Sequence, residues 1–169
     1  IKPTDGGVSF SGELAVCYHA NLYSRIATRI LVQVGRGKYA TEDDLYQAAY
    51  KINWPNWFDV KHDFMVKVTG VKCPLKSIEF ATLKIKDAVC DKFRQVVNAR
   101  PYIDTKTPAV RVHAYLTADS YQYYVDTSGN ALYQRGNRKA SIEAPLRENL
   151  AAGILQLSGW KPGQALLDT

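Results

Sequence analysis

Pro145–Thr169 reads PLRENLAAGILQLSGWKPGQALLDT, and this stretch decides the fold class. Pro145 suits a first helical position, where its missing N–H costs nothing. Leu146, Leu150, Ile154 and Leu157 recur at helical spacing and make one apolar stripe. Ser158-Gly159 ends that helix, since glycine adopts the left-handed cap without a steric cost. Lys161-Pro162-Gly163 predicts a turn. Ala165-Leu166-Leu167 is a short apolar run, as a buried parallel strand would be. In nucleotide-binding α/β folds a glycine-rich loop follows the first such strand. The expectation is an α/β cofactor domain cut off just before its ligand loop, so the remainder of the chain is what stands in front of such a domain.

Working backwards, Leu132–Lys139 reads LYQRGNRK. Arg135, Arg138 and Lys139 place three cations within five residues with no acid among them, and Gly136 permits a close backbone approach. This is the best local pattern for a phosphate-binding loop. Before it, Val110–Leu116 and Tyr121–Asp126 alternate with period two and are joined by four residues, which predicts an antiparallel hairpin. The tyrosines there are ordinary strand formers and do not by themselves make a stacking platform.

Ser77 opens the longest predicted helix, Ile78 to Val97, buried through Ile78, Ala81, Ile85, Ala88, Val89, Phe93 and Val96. Lys84, Lys86, Lys92 and Arg94 lie elsewhere on it, interleaved with Asp87 and Asp91. That pattern fits a self-paired solvated face as well as a phosphate track. Asp63–Thr69 predicts a strand closed by Gly70. Thr41 caps another helix, with Asp44 completing a capping box. Leu45, Ala48, Ala49 and Ile52 form its inner face. Trp54, Trp57 and Phe58 read as a plug between packed units rather than as base-stacking rings. Residues 1 to about 55 read β-α-β-α: Gly7–Gly12 as a strand, Glu13–Ala27 as a helix and Arg29–Val34 as a strand, which Gly35-Arg36-Gly37 breaks. The chain opens IKPTDGG without a methionine, so the amino end is expected to be trimmed.

Composition sets the outer bounds. The 169 residues are 46% hydrophobic and 22% charged, which is ordinary for a globular protein. No apolar run approaches the roughly 20 residues of a membrane span, and no signal peptide is visible. The net charge of +6 favours a polyanionic partner. Cys17, Cys73 and Cys90 form no CxxC pair, which argues against structural zinc, and free thiols suit a reducing, cytoplasmic compartment. His19, His62 and His113 stand in separate elements. No HExxH, GxSxG or Walker A pattern occurs, so no catalytic residue or metal site is assigned.

The stretches SGELAVCYHANLYSRIATRIL, LYQAAYKINW, ATLKIKDAVCDKF, VDTSGNALYQRGNR and APLRENLAAGILQLSGW, followed by LLD, together resemble a family. It is the bacterial THUMP-domain methyltransferases, above all those that methylate the N2 amine of a guanine in 23S ribosomal RNA. Some such sequences carry the older label of adenine-specific DNA methylase. The resemblance runs along essentially the whole chain. It implies an α/β (α+β) architecture: a ferredoxin-like N-terminal domain over 1–58, lacking its first strand and helix, and a THUMP RNA-binding domain over 59–131. Residues 132–169 would be a linker and the first helix and strand of a Rossmann-like methyltransferase domain. Thr169 stands where that family has a proline before its glycine-rich segment, and the Asn- or Asp-Pro-Pro-Tyr motif is not in the sequence. The cofactor, S-adenosylmethionine, is therefore expected for the parent enzyme and not for this fragment.

The partner so implied is 23S ribosomal RNA, with DNA disfavoured. Candidate RNA contacts are Arg135, Arg138, Lys139, Lys84, Lys86 and Arg111; charge pattern and family motif coincide only at the loop of Arg135 and Arg138. Two alternatives stand beside this reading: the same RNA-binding module on a tRNA-modifying enzyme, and a protein–protein adaptor whose basic surface is incidental.

Overall fold

The computed structural model describes residues 1–4, 6–135 and 145–167. The chain divides into two compact units, residues 31–129 and a second formed by 1–30 with 130–169.

The unit 31–129 is a four-stranded sheet with two helices on one face. Its elements are β3 (Leu31–Lys38), α2 (Glu42–Lys51), β4 (Phe64–Gly70), α3 (Ile78–Val97), β5 (Val110–Leu116) and β6 (Ser120–Asp126). The sheet order is β3-β6-β5-β4. β3/β6 and β6/β5 are antiparallel, whereas β4 and β5 are parallel, joined by α3 as the crossover. β3 and α2 take their partners here, although the sequence reading places them in a domain ending at residue 58: β3 pairs with β6 and α2 packs on α3.

Local chemistry sets the helix starts. Asp44 N–H donates to Thr41 Oγ1 at 3.2 Å and Thr41 N–H to Asp44 Oδ2 at 2.8 Å, closing the expected capping box. Ser77 Oγ accepts from Phe80 N–H at 3.1 Å and starts α3 where the sequence places it. The core lies between α3, α2 and the sheet, around Leu45, Trp54, Phe64, Ile85, Phe93, Val112, Leu116 and Tyr123. Trp54 is fully buried and its Nε1 donates to the Ala49 carbonyl at 2.8 Å. It is a plug, but inside one unit. Phe58 packs on Phe64 and Phe93, with ring centroids 5.6 and 4.9 Å away.

Gly35-Arg36-Gly37 does not break β3, contrary to expectation. The strand runs through it with a register shift between Gln33 and Gly35. A Cβ on Gly35 would stand 3.0 Å from Ile52 Cδ1, and one on Gly37 would stand 2.9 Å from the Tyr121 hydroxyl. The glycines leave room for those side chains to cross the strand.

In the other unit, β1 (Lys2–Thr4) and β2 (Gly7–Ser9) form a small antiparallel hairpin. α1 spans Leu14–Tyr23, ending four residues before the expected Ala27. α4 spans Glu148–Leu157, with Arg147 at its N-cap, so Pro145 precedes the helix rather than starting it. Gly159 at φ +73° takes the expected left-handed position, and Gly163, in the expected turn, has φ +93°. The stripe Leu14, Tyr18 and Leu22 on α1 is 60–64% exposed. Leu146, Leu150 and Ile154 are half-exposed too. Residues 165–167 are not a strand, and Leu167 is 85% exposed. A parallel strand is defined by a hydrogen-bonded neighbour, and the described residues of this unit supply none.

Candidate nucleic-acid interface

The structure separates the candidate cations into three settings. Lys84 and Lys86 lie on the outer surface of α3, where acids meet them. Lys84 Nζ is 2.6 Å from Asp43 Oδ1 on α2, and Lys86 Nζ is 2.8 Å from Asp87 Oδ1. Arg94 likewise holds Asp91 at 2.9 Å. The Tyr46 hydroxyl donates to the other Asp91 oxygen at 2.9 Å; burial first, and then that carboxylate, push its pKa up to about 12. A cleft of about 580 Å³ opens over these groups. Asp43, Asp87 and Asp91 balance Lys84, Arg94 and Arg100 along its lining. The helical layer therefore presents paired charge, in line with the self-paired reading of α3.

Arg111 is on the opposite side, on the face of the sheet that α2 and α3 do not cover. The register defines that face. Val112, Ala114, Leu116, Tyr123 and Val125 point to the core. The alternate residues form rows across the other side: Lys67, His113, Tyr124 and Gln33 in one, Thr69, Tyr115, Gln122 and Arg36 in the next. Tyr115 and Tyr124 are half-buried, and Arg36 and Lys67 are exposed. Gln33 Nε2 donates to Gln122 Oε1 at 3.4 Å and to the Tyr124 hydroxyl at 3.5 Å, and that hydroxyl donates to Gln122. Burial pushes the Tyr124 phenol up, and the Gln33 hydrogen bond partly opposes it. His113 Nε2 stands 3.6 Å from the buried Asp126 carboxylate, just beyond hydrogen-bond length. Arg111 Nη1 donates to the Gly129 carbonyl at 2.9 Å.

Arg135 does something the charge pattern does not suggest. Its Nη1 donates to Leu22 O at 2.6 Å, and its Nη2 to Asn21 O at 2.9 Å and Ser24 O at 2.8 Å. Its Nε donates to Leu132 O at 2.8 Å. Three of these acceptors are the orphan carbonyls at and just past the C-terminus of α1, where a cation also meets the negative end of the helix dipole. Arg138 and Lys139 lie outside the described residues.

Sequence reasoning missed Arg36, Lys67, Tyr115 and Tyr124 as neighbours. The period-two pattern gave the parity of each strand, but only the strand order brings the four residues onto one surface.

The family comparison decides what module this is. Residues 39–126 match the THUMP domain model. The chain belongs to the THUMP-domain family. On either side of the THUMP domain, residues 1–31 match the RlmL ferredoxin-like domain and 135–169 the RMKL-like methyltransferase domain. Solved structures agree. A "predicted N6-adenine-specific DNA methylase" from Listeria monocytogenes superposes with a TM-score of 0.77 at 26% identity, over 88% of this chain and 39% of its own. SMU.472, "a putative methyltransferase complexed with SAH", does so at 0.77 and 29%, over 90% and 41%. A "possible methylase" from Clostridium difficile 630 gives 0.75 and 25%, over 88% and 39%. The THUMP chain thus spans about two fifths of these relatives.

The expected architecture is met: ferredoxin-like and THUMP domains with a methyltransferase-like segment behind them. Among the described residues, no helix is long and apolar enough to cross a membrane and no cluster of His, Cys, Asp and Glu could hold a metal ion.

Proposed function

We propose that this chain is the RNA-binding, substrate-recognition region of an S-adenosylmethionine-dependent methyltransferase acting on a guanine N2 of 23S ribosomal RNA. One observation carries the reading: a THUMP domain and the start of a methyltransferase domain follow one another in a single basic chain. The SAH held by a relative at 29% identity supports the methyl donor. The described residues form no strand at Ala165–Leu167 that could carry a ligand loop. S-adenosylmethionine would supply the methyl group in a polypeptide that carries this region.

What this region contributes is grip. A guanine N2 within paired RNA must be unstacked before a methyl donor can reach it. A module that holds nearby RNA raises the effective concentration of that base at the reacting centre. Arg111 on the sheet, with Arg138 and Lys139, are the principal proposed cationic contacts; Lys84, Lys86 and Arg135, whose donors are largely committed within the protein, are the minor ones; a cytoplasmic location follows from the substrate.

Filter-binding titrations against 23S rRNA fragments, tRNA and duplex DNA test the reading. The expected result is tightest binding to an rRNA fragment, falling steeply with salt as counterions are released. Preference for duplex DNA, or binding indifferent to salt, overturns it; preference for tRNA moves the module to a tRNA-modifying enzyme.

A further inference from the structure

The face of the sheet opposite α2 and α3 has a division of labour. Its two central strands carry the aromatic rings, Tyr115 on β5 and Tyr124 on β6. Its outer strands carry exposed cations, Arg36 on β3 and Lys67 on β4, neither with an ion pair among the described residues. Tyr115 opposes Gln122, and Tyr124 lies two residues farther along β6, so the two residues are diagonal neighbours, roughly 7 Å apart at the backbone. Tyr124 is held at its hydroxyl by the Gln33–Gln122 network, which fixes its ring before any ligand arrives. The carboxylate on this face, Asp126, is buried beside His113 rather than beside Arg36 or Lys67.

We propose that this face is a stacking platform for a short unpaired stretch of RNA, with the Tyr115 and Tyr124 rings taking two bases and Arg36 and Lys67 the flanking phosphates. It rests on the RNA-binding reading above and names the surface and the form of RNA. A flat sheet with aromatic side chains at its centre takes bases that have left the helix, whose π-faces are then available. A duplex keeps its bases stacked and offers this surface only its backbone. The cationic edges complement a strand crossing β5 and β6, because the phosphates of a chain whose bases face the sheet fall at the rim. If the tyrosines only stabilised strands, the two edge cations would have no role.

The test uses the full chain and fluorescence anisotropy with a labelled 12-nucleotide unpaired RNA and a hairpin closing the same sequence. Wild type is expected to prefer the unpaired strand. Tyr124→Ala and Tyr115→Ala each weaken it about tenfold, whereas Tyr124→Phe stays within about twofold because the ring remains. Lys67→Glu, exposed and remote from the core, lowers affinity for both RNAs and flattens the salt slope by about one contact. Circular dichroism verifies each fold; if an alanine variant unfolds, Tyr124→Phe and Lys67→Glu decide. Wild-type binding that survives Tyr124→Ala and Lys67→Glu unchanged, or that prefers the hairpin, overturns the platform and leaves the RNA-binding reading standing. No binding by wild type to either probe or to rRNA fragments overturns that reading and the platform with it.

Discussion

The two faces of the sheet in 31–129 are built from the same strands and come out opposite. On the inner face Phe64, Val66, Val112, Ala114, Leu116 and Tyr123 are buried under α3 and α2. Outside α3, the helical layer ties most of its cations to acids at 2.6–2.9 Å. The outer face of the sheet sets Arg36 and Lys67, neither ion-paired among the described residues, around half-buried tyrosines, and its carboxylate, Asp126, is buried beside His113. Counting cations therefore misleads. What distinguishes a surface for a polyanion is positive charge that the fold has not already neutralised, since a paired lysine must lose its partner before it gains a phosphate.

Phe93→Ala should break the inner face most. Its ring is fully buried against Phe58, and its loss costs about 3–5 kcal/mol. A urea titration followed by tryptophan fluorescence reads this as a lowered midpoint; an unchanged midpoint would mean that the inner face is not the core. Next comes Arg135→Ala, which removes the guanidinium from the end of α1 at a cost of about 1–3 kcal/mol. Hydrogen exchange should speed up at Ala20–Ser24 and leave α3 protected. Arg135→Lys should not rescue it, since an ammonium cannot present the planar fork that meets three carbonyls.

Thr41→Ala, on the helical layer, should lower stability by about 1 kcal/mol through loss of the cap on α2. The partner in that cap has a pH signature. Backbone N–H groups of Ala40 and Thr41 hold the Asp44 carboxyl below its usual 3.8. Its contribution is therefore fully present above that value and disappears as pH falls through the depressed folded one. A wild-type stability curve should fall across that acidic window, and Asp44→Asn should flatten the fall. The smallest effect sharpens the comparison directly: Lys84→Ala should change rRNA affinity by less than about twofold, because Asp43 already holds it. An effect as large as that of Lys67→Glu would show that pairing on the helical layer does not silence a cation.

Unit 31–129 was the more legible part of the chain. Ser77 and the stripe from Ile78 mark the start and inner face of α3, because capping and periodicity act over a turn or two of helix; Val96, expected at the end of that stripe, is instead 47% exposed. The hairpin of β5 and β6 followed from alternation and a short connection. The misreadings share one cause. Gly35 and Gly37 look like a break until Ile52 and Tyr121 are seen crossing them. The charge pattern around Arg135 gives no sign that Leu22, 113 residues away in sequence, accepts its N–H. Residues 165–167 look like a strand, but a strand exists only through a neighbour.

The sequence by itself therefore determined which segments are helices and which side of each strand is apolar. These are set by backbone preference, capping and the periods of 3.6 and 2, all local. Tertiary structure alone decided which cations are neutralised, which one secures a helix end, and which tyrosines share a surface. Electrostatic pairing and stacking act across a few ångströms of space, and those ångströms separate residues such as Lys84 and Asp43 that lie 41 positions apart along the chain.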